Sequence, residues 1–516
     1  MLIINSGAYV TPEFQAEFGK IPPCMLPIGN KKLIEHQVQR LKAALPGRDI
    51  FLTLPSTFTP AINEKALLNA LGVQCIPVPP NFRLTDSILY ALNIRETEDD
   101  RVVLLHGDTL IDELPQDLDV IGIAETDDDY RWERELMPDN SQMVWCGYFS
   151  FSNVRTLIRA LTLSEGDFPS AVRQYSEVRD LQRRVIPTWH DLGHVNTYFK
   201  SRASITTQRS FNSLDIQSGV LTKRGEPSIK IEAEAQWFKN LPISMRRFTP
   251  QLIDSGSGAD GKPYYSLEYL PMSPLNELFV HGHNPPFFWG RILKLFQDYL
   301  QASRNNLPPD TDIEKISEDA ISLYKDKTIA RLQAFSEAND FDLKKKLRFD
   351  GRALPSTMAI AERCIELATK SACTPAIAHG DLCFSNVLFD SRGGHIKVID
   401  PRGLNQDQEL TIVGDQKYDL AKLCHSFIGL YDFIISGRYN LTEDSNGFHL
   451  SFDLDDRLKS IQQLFEKTEL IPGVTFSDII PLTVLLFLSM LPLHADHPQR
   501  QKALFANALR LYSKYL

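Results

Sequence analysis

Three polar residues in the C-terminal half of the sequence have the types and spacing that phosphoryl transfer from ATP requires. Asp381 ends a His-Gly-Asp triplet, Asn386 lies five residues later, and Asp400 ends a predicted strand that begins at His395. One carboxylate can orient an acceptor hydroxyl and take its proton, while an amide oxygen and a second carboxylate can hold the Mg²⁺ ions that bridge the phosphates. The sequence therefore predicts a phosphotransferase site with Asp381, Asn386 and Asp400 as its catalytic residues.

The same residues carry a family resemblance. The pattern His-Gly-Asp-x-x-x-x-Asn, followed by a strand ending in Asp, resembles the signature of the aminoglycoside phosphotransferase and choline kinase group of small-molecule kinases, over residues 211 to about 430. The resemblance implies that Asp381 is the catalytic base, that Asn386 and Asp400 are Mg²⁺ ligands, and that Asp419 braces the catalytic loop. No Ala-Pro-Glu segment follows, which favours a small hydroxyl-bearing acceptor over a protein.

A lysine and a glutamate upstream are candidates for holding the nucleotide. Lys223 follows the apolar pair Val-Leu and fits the strand lysine that grips the α- and β-phosphates of ATP. The helix predicted over 229–240 carries an apolar stripe, and Glu234 lies beside that stripe, where it can face Lys223. Glu232 lies further around the helix and is the second choice.

The connection after this small lobe is the predicted adenine site. The segment Glu268-Tyr-Leu270 follows a strand-like run, and its backbone at Glu268 and Leu270 is expected to meet the base. No Gly-x-Gly-x-x-Gly loop precedes Lys223, so the sequence does not define the nucleotide preference further.

Two further acidic residues lie in the first two hundred residues. Asp108 ends the predicted strand Leu-Leu-His-Gly-Asp, and Asp191 lies in the segment Trp-His-Asp-Leu-Gly. Together with the stretch 22–36, they resemble the sugar-phosphate nucleotidyltransferases, which join an NTP to a phosphorylated sugar or aminoalcohol and release pyrophosphate. The resemblance covers about residues 1 to 205 and implies that Asp108 and Asp191 hold Mg²⁺.

The opening loop departs from that family's pattern. The family's loop is rich in glycine and carries an Arg and a Lys, whereas this loop has one glycine, no Arg, and Pro23 at the expected Lys position. The backbone N–H groups of Ser6, Gly7 and Ala8 can still cradle phosphate, with Lys20 or Lys31 as the replacement cation. Two alternatives stay open: an active nucleotidyltransferase, or a non-catalytic module that binds a nucleotide or a partner.

The elements that position these residues follow from periodicity. Strands predicted at 2–4, 49–54, 73–78 and 101–105 alternate with helical patterns, which indicates a mostly parallel α/β sheet of the nucleotidyltransferase type. After about Ser210 a small strand–helix–strand unit appears, and from Trp289 the pattern is helical except for a β-rich island at 376–402. We predict a nucleotidyltransferase-like domain over 1–209 and a two-lobed, protein-kinase-like α+β domain over 210–516, with lobes 210–271 and 272–516.

Composition limits the partners. The chain has 516 residues, 43% of them apolar, and a net charge of −10. No basic excess is available for phosphate backbones or anionic membranes, so neither nucleic acid nor a membrane is expected as a partner. Seven scattered cysteines without a Cys-x-x-Cys motif, and an N-terminus unlike a signal peptide, favour a cytoplasmic protein. The apolar run 479–493 is too short for a membrane span and is predicted to be a buried helix.

These observations combine into one hypothesis. The C-terminal domain would phosphorylate a sugar, polyol or aminoalcohol with ATP and Mg²⁺, and the N-terminal domain would couple that phosphate to CTP or another NTP. This fusion resembles bacterial capsule and surface-polysaccharide biosynthesis proteins. The alternative is a kinase whose N-terminal domain is a binding module without chemistry. The sequence does not identify the acceptor, the NTP or the oligomeric state.

Overall fold

The computed structural model describes residues 1–94, 100–126, 133–137, 142–207 and 213–516. The chain divides into two compact units. Unit 1 comprises residues 1–208 and 281–283, and unit 2 comprises residues 209–280 and 284–516. The domain boundary predicted near Ser210 lies outside the described residues.

In the described part of unit 1, short buried strands alternate with helices. The strands are β1 (Leu2–Asn5), β2 (Pro27–Ile28), β3 (Lys31–Lys32), β4 (Ile50–Pro55), β5 (Val73–Val78), β6 (Val102–His106), β7 (Thr109–Ile111), β8 (Val120–Glu125), β9 (Arg134–Leu136), β10 (Gln142–Phe151), β11 (Gln182–Val185) and β12 (Trp189–Asp191). The helices are α1 (Pro12–Phe18), α2 (Leu33–Ala44), α3 (Ile62–Leu71), α4 (Leu84–Ile94), α5 (Val154–Leu163), α6 (Phe168–Val178) and α7 (Val195–Thr207).

The main sheet of unit 1 has the order β11-β8-β10-β6-β1-β4-β5, with β9 paired to β10. The pairs β1/β4, β1/β6, β4/β5 and β8/β11 are parallel, whereas β10 runs antiparallel to both of its neighbours in this order. Strand β1 is buried almost completely, as is typical of a parallel strand covered on both faces. Because Asn5 pairs with His106, the loops after β1 and β6 leave the sheet at the same edge.

Unit 2 begins with a small sheet and continues mainly as helices. Its described strands are β13 (Ser213–Gln217), β14 (Val220–Arg224), β15 (Leu252–Ser257), β16 (Pro263–Glu268), β17 (Ser273–Pro274), β18 (Lys346–Phe349), β19 (Arg352–Ser356), β20 (Pro375–Ile377), β21 (Val387–Asp390), β22 (His395–Val398), β23 (Val413–Asp415), β24 (Asn440–Asp444) and β25 (Gly447–Ser451). Its helices are α8 (Ser228–Asn240), α9 (Leu275–His281), α10 (Pro286–Asn305), α11 (Ile313–Tyr324), α12 (Asp326–Asn339), α13 (Thr357–Lys370), α14 (Gln416–Phe427), α15 (Tyr431–Ile435), α16 (Asp456–Lys467), α17 (Phe476–Ser489) and α18 (Pro498–Tyr515).

The small sheet has the antiparallel order β13-β14-β16-β15, and helix α8 packs on it through Phe238, whose ring lies 5.9 Å from that of Tyr265. The helical part carries the hairpin β21–β22, which follows the predicted catalytic loop, residues 379–386. Together with the parallel-rich sheet of unit 1, this arrangement confirms the predicted fold class.

A second sheet in the helical part differs from the sequence prediction. Strands β19-β18-β25-β24 form a four-stranded sheet where only helices and the 376–402 island were expected. Its two hairpins lie about 100 residues apart in the sequence and meet through the pairing of Phe349 with Phe448. The strands are short and mostly exposed, so local hydrophobic periodicity gave no signal for this long-range pairing.

The apolar run near the C-terminus forms helix α17, which contains Pro481 and is buried from Ile479 to Ser489. The prediction of a buried helix is confirmed there. Among the helices of the described ranges, none has both the length and the apolar character that crossing a bilayer requires.

Candidate active sites

A buried ion pair occupies the centre of the small lobe of unit 2. Lys223 lies on β14 and Glu234 lies on α8, and the Lys223 Nζ donates to Glu234 Oε2 at 2.6 Å. The hydroxyl of Tyr265 donates to the same oxygen at 2.7 Å. The exposed Glu232 lies on the outer face of the helix. The structure therefore brings Lys223 together with Glu234, the first-choice partner from the sequence.

The same lysine reaches the second acidic residue of the predicted site. Lys223 Nζ donates to Asp400 Oδ1 at 3.0 Å. Burial by itself would lower the pKa of the Lys223 ammonium, but the carboxylates of Asp400 and Glu234 hold that pKa above its ordinary value. Burial raises the pKa of Glu234, and Lys223 opposes this rise. The Lys223 ammonium is therefore a fixed positive charge that joins Glu234 on α8 to Asp400.

The catalytic loop places Asp381 and Asn386 side by side. The Asn386 Nδ2 donates to the backbone oxygen of Asp381 at 2.9 Å and to its Oδ2 at 3.2 Å. The other carboxylate oxygen, Oδ1, lies 2.8 Å from the Nζ of Lys422 on α14. The Asp381 side chain is 40% exposed, so the carboxylate is open to a ligand. Burial would raise the pKa of Asp381, but Lys422 holds it well below the ordinary value, which keeps the carboxylate ionised.

Asp419 on α14 fixes the backbone of this loop. Its two carboxylate oxygens accept the N–H groups of His379 at 2.8 Å and Gly380 at 2.7 Å. Burial raises the pKa of Asp419 to about 7, while these two hydrogen bonds favour the carboxylate. Asp419 thus contacts the loop backbone, which is the position that the family resemblance implies for a brace.

Gly380 and His379 fit this loop for different reasons. Gly380 has a φ of +75°, and a Cβ there would lie 2.7 Å from the Cβ of Arg402, so a larger residue meets both strain and a clash. His379 is buried, which lowers its pKa to about 4. Its Nε2 lies 2.9 Å from the Ile399 carbonyl and its Nδ1 lies 3.2 Å from the Asp381 amide nitrogen. A neutral imidazole therefore links the loop to the strand that ends before Asp400.

Asn386 and Asp400 offer oxygen donors that suit Mg²⁺. Because the Nδ2 of Asn386 is used on Asp381, its Oδ1 is left as an acceptor, with a single long contact from the Ser385 hydroxyl at 3.3 Å. The Asp400 side chain is 46% exposed and its backbone has a φ of +55°. Carboxylate and amide oxygens are the donors that Mg²⁺ prefers, with water and substrate phosphates completing its shell. The residues present therefore fit this ion.

The predicted adenine-binding segment lies at the end of β16. Glu268 is the last residue of the strand, it is exposed, and its N–H donates to the Gln251 carbonyl at 2.9 Å. Leu270 lies in the connection to β17, where its carbonyl accepts the N–H of Met272. These two side chains do not contact Lys223 or Asp400. Their predicted contribution to adenine binding is through the backbone.

Unit 1 contains a cavity of about 430 Å³ at the edge of its sheet where β1 and β6 end. The predicted loop residues and the two predicted metal ligands of this half of the chain line it, together with the aromatic rings of Phe82, Trp145 and Trp189. These predicted residues are Ser6, Gly7, Ala8, Asp108 and Asp191. A cavity lined by aromatic rings with a few polar groups suits a nucleotide or a sugar.

Asp108 and Asp191 face each other in this cavity because β7 and β12 pair, with Thr109 opposite Asp191. A Cβ on Gly193 would lie 2.6 Å from Asp108 Oδ2 and 3.3 Å from Asp191 Oδ1, so only a glycine fits between the two carboxylates. Burial, and then the charge of Asp191, raise the pKa of Asp108 to about 6. The two carboxylates repel each other, and a cation between them would relieve this repulsion. Their oxygen atoms are donors that fit Mg²⁺.

Within the described residues, no group of three or more His, Cys, Asp or Glu side chains is arranged to hold a metal. At each site the described residues singled out above therefore offer two candidate donors. Water and phosphate oxygens would have to supply the remaining ones, as is usual for Mg²⁺ in phosphoryl-transfer sites.

The opening loop differs from the expected phosphate cradle. The N–H of Ser6 donates to the Thr53 hydroxyl at 2.9 Å, so the cradle predicted over Ser6, Gly7 and Ala8 is wrong for the first of these amides. Gly7 is required by packing, since a Cβ there would lie 2.6 Å from both Ser87 Oγ and a methyl of Val78. The loop is closed against the sheet at Ser6, which leaves the amides of Gly7 and Ala8 as candidate donors.

The cation at this cavity is also a different residue from those expected. Neither Lys20 nor Lys31 is among the residues that line the cavity, and the Lys20 Nζ lies 4.4 Å over the ring of Tyr9. Arg83 lines it, just before helix α4, with its Nη1 3.0 Å from the Glu165 carbonyl. The sequence signal that could have indicated Arg83 is its place at the end of the segment Pro-Pro-Asn-Phe-Arg, directly before a helix.

In unit 2 the sequence prediction also missed three residues near the site: Tyr265, Arg402 and Lys422. Each contacts or neighbours a predicted site residue, but none belongs to the motif that defines the site. The Asp-Pro-Arg sequence after the last strand was a signal for Arg402, whereas Lys422 lies on a helix 41 residues after the aspartate that it contacts.

The chain was compared with known proteins. No protein-family model and no curated protein matches it. Among solved structures, the N-terminal part is similar to a nucleoside-diphosphate-sugar pyrophosphorylase from Vibrio cholerae RC9 (12% identity, 39% of this chain and 99% of that chain, TM-score 0.32). It is also similar to the inositol-1-phosphate CTP transferase from T. maritima (13% identity, 40% of this chain and 95% of that chain, TM-score 0.29).

A second group of solved structures matches a larger share of the chain. The aminoglycoside 2′-phosphotransferase-IIIa in its GDP complex is 13% identical, with 63% of this chain and 100% of that chain covered and a TM-score of 0.38. The matched structures fall into the two classes whose motifs the sequence resembles. Because these TM-scores are below 0.5, we derive the chemistry of the two sites from their side chains.

Proposed function

We propose that unit 2 is an ATP-dependent phosphotransferase acting on a small hydroxyl-bearing acceptor. The observation that carries the proposal is the convergence of Lys223, Glu234 and Asp400 in one hydrogen-bonded cluster. A lysine fixed by a buried glutamate is suited to holding the α- and β-phosphates, and the aspartate beside it is suited to holding the metal. Asp381 is exposed and ionised, as a catalytic base must be.

In this mechanism each residue has a separate task. Lys223 binds the phosphates and is held in place by Glu234. Asp381 accepts a hydrogen bond from the acceptor hydroxyl, orients its oxygen toward the γ-phosphorus and takes its proton. Lys422 positions the Asp381 carboxylate. Mg²⁺ held by Asp400 and Asn386 would neutralise charge on the phosphates. No group other than ATP and the acceptor alcohol is consumed.

The kinase proposal is tested with the purified full chain, [γ-³²P]ATP, Mg²⁺ and a panel of sugars, polyols and aminoalcohols. Acceptor phosphorylation is expected to fall about 10²- to 10⁴-fold in Asp381→Ala, because a general base contributes about that factor. The matched control is Asp390→Ala, at the end of β21 in the same region. If no acceptor is phosphorylated in an Asp381-dependent way, the kinase proposal is wrong.

We propose as a second function that unit 1 transfers a nucleotidyl group from CTP or another NTP to a phosphorylated acceptor. The observation that favours it is the pair Asp108 and Asp191, which face one cavity together with the arginine Arg83. Mg²⁺ held by the two aspartates would neutralise the α-phosphate under attack and the pyrophosphate that leaves. Gly7 and Ala8 would donate backbone N–H groups to the phosphates.

Pyrophosphate release with each of the four NTPs and a phosphorylated acceptor tests this second function. Release that is lost in Asp108→Ala supports catalysis by unit 1. If no NTP gives release, unit 1 is instead a module that binds a nucleotide or a partner, and retained binding of a fluorescent nucleotide identifies that case.

The two functions together define a bifunctional transferase. Unit 2 would make a phosphorylated alcohol, and unit 1 would convert it to a nucleoside-diphosphate derivative, the activated form that a surface-polysaccharide pathway consumes. One chain carrying both sites raises the effective concentration of the intermediate. We propose a cytoplasmic location, where ATP and NTPs are available.

A further inference from the structure

Four basic side chains lie together beside the catalytic loop of unit 2. Lys327 and Arg331 lie one turn apart on α12, Arg402 follows the metal-binding Asp400, and Lys422 lies on α14. We call these four residues the basic cluster. None of them is Lys223, the residue that we propose for the nucleotide phosphates.

Tyr418 is the centre around which the cluster is arranged. The Arg402 Nη2 donates to the Tyr418 hydroxyl at 2.9 Å, and the guanidinium lies 4.7 Å over the ring. The Lys422 Nζ lies 6.0 Å from the centre of the same ring. Lys327 interacts electrostatically with Tyr418 and with the other three cations. The four positive charges therefore share one small region.

The cluster holds four positive charges, and the carboxylates of Asp381 and Asp419 act on them. Lys422 pairs with Asp381, but in the described ranges no carboxylate comes within ion-pair distance of Lys327, Arg331 or Arg402. Arg331 donates instead to the Ser489 carbonyl at 3.0 Å. Like charges in a partly buried site repel one another, and the repulsion is relieved when an anion binds.

Two groups of the cluster have shifted pKa values that reflect the neighbouring cations. Burial lowers the pKa of Lys327 to about 7, Tyr418 opposes this shift, and Arg402, Arg331 and Lys422 add to it. Burial would raise the pKa of Tyr418, but Arg402, Lys327 and Lys422 lower it to about 7. An external anion beside the cluster would favour the protonated form of Lys327.

The cluster also adjoins the proposed catalytic base. Lys422 contacts the Asp381 carboxylate at 2.8 Å and reaches toward Tyr418, so it links the catalytic base to the rest of the cluster. A cavity next to the catalytic loop is lined by Arg402, Tyr418 and Gly380, and also by the aspartates Asp319, Asp415 and Asp419. A ligand whose hydroxyl meets Asp381 therefore has its other end near these cations.

From this arrangement we propose that the acceptor of the phosphotransferase site is an anion, a sugar or polyol that already bears a phosphate or carboxylate group, bound by Lys327, Arg331 and Arg402. The inference rests on the proposed kinase function and specifies its substrate class. The acceptor oxygen forms the new bond to the γ-phosphorus, the bond from that phosphorus to ADP breaks, and the hydroxyl proton passes to Asp381. A polyamine acceptor is disfavoured, since the same cations repel it.

The test compares matched acceptors on the full chain with [γ-³²P]ATP and Mg²⁺. The pairs are D-glucose with D-glucose 6-phosphate, D-mannose with D-mannose 6-phosphate, and D-galactose with D-galacturonate, and kanamycin is the cationic probe. We expect the anionic member to have at least a roughly tenfold higher kcat/KM, the factor that one charge-assisted contact provides. Sugar phosphates and the sugar acid separate a phosphate from a carboxylate preference.

Charge removal then identifies the residues. The variant Lys327→Gln/Arg331→Gln is expected to raise KM for the anionic acceptor about tenfold or more, and the single variant Lys327→Gln gives a milder case if the double variant folds poorly. The matched control is Lys344→Gln/Lys345→Gln, two exposed lysines outside the cluster. Equal use of neutral or cationic acceptors, or a KM unchanged in both cluster variants, would overturn the inference.

A binding experiment decides the case in which no probe is phosphorylated. With Mg²⁺ and a non-hydrolysable ATP analogue present, inorganic phosphate is expected to raise the melting temperature of the wild-type chain relative to chloride of equal ionic strength. Loss of that shift in the cluster variants supports an anion site. An absent shift, or one that the variants keep, overturns it. Failure of the kinase proposal is recognised separately, when no acceptor, whether neutral, anionic or cationic, is phosphorylated in an Asp381-dependent way.

Discussion

The Lys422 ammonium lies 2.8 Å from the Oδ1 of Asp381, the carboxylate that we assign as the catalytic base. The lysine is 14% exposed and comes from α14, the same helix that supplies Asp419 to the loop backbone. One helix therefore fixes both the backbone and the side chain of the catalytic loop. The ammonium keeps the Asp381 carboxylate ionised, and the other oxygen of that carboxylate, Oδ2, accepts from Asn386. We therefore assign Lys422 as a positioning residue.

Replacing Lys422 is expected to impair phosphoryl transfer more than nucleotide binding. In Lys422→Met, kcat for the acceptor should fall about 10- to 100-fold, since a hydrogen bond to a charged group contributes about 1.5–3 kcal/mol. KM for ATP should change little, because we assign the binding of the phosphates to Lys223. Lys422→Arg should restore part of kcat, and Lys370→Met on α13 is the control. A loss confined to KM for ATP would contradict the positioning role.

The buried pair of Lys223 and Glu234 gives a second prediction with a control on the same helix. Glu234→Gln removes the charge that fixes the lysine, so kcat/KM for ATP should fall about 10- to 100-fold. Glu232→Gln changes an exposed glutamate two residues away and should have no effect. Initial rates at varied ATP measure both variants. Equal losses in the two variants would show that helix α8 tolerates no charge change, rather than that Glu234 fixes Lys223.

Gly380 allows a prediction about the stability of the catalytic loop. Gly380→Ala places a residue with a Cβ at a φ of +75° and brings that Cβ within 2.7 Å of Arg402. The free energy of unfolding should fall by about 2–5 kcal/mol, from left-handed strain and from the clash together. Gly437→Ala is matched in φ at +69° but meets no atom within 4 Å, so it should cost only about 1–2 kcal/mol. Urea denaturation of both variants measures the difference.

Local pattern was enough to predict much of this molecule. Strand β5 spans Val73–Val78 as predicted, and the helix predicted over 229–240 is α8, Ser228–Asn240. The side of α8 that Glu234 occupies also follows from periodicity, because the apolar stripe beside it must face the small sheet. In each of these cases the information lies within one element.

The residues that were not predicted depend on contacts between distant elements. Lys422 reaches Asp381 only because α14 folds back under the catalytic loop, and Arg83 reaches its cavity only because α4 begins at the same sheet edge as the β1 loop. The sheet that joins β18 to β25 is of the same kind, since its pairing crosses about 100 residues. Periodicity describes which face an element buries and not which other element covers it.

Arg83 leads to the last prediction, which concerns unit 1. Of the described residues that line the cavity with Asp108 and Asp191, it is the only arginine or lysine. If unit 1 binds the triphosphate of an NTP, Arg83→Gln should raise KM for the NTP roughly tenfold in pyrophosphate release, because a charge-assisted contact to phosphate is lost. Phosphorylation of the acceptor by unit 2 should be unaffected in this variant.

The control for Arg83 is Arg179→Gln, an exposed arginine at the end of α6 that does not line the cavity. Lys20→Gln provides the comparison with the cation expected from sequence, and it should leave KM for the NTP unchanged because Lys20 lies over Tyr9. If Lys20→Gln raises KM and Arg83→Gln does not, the triphosphate binds along the opening loop and the assignment of Arg83 is wrong. A rise in both variants would mean that the two cations share the triphosphate, which would contradict a single phosphate-binding arginine.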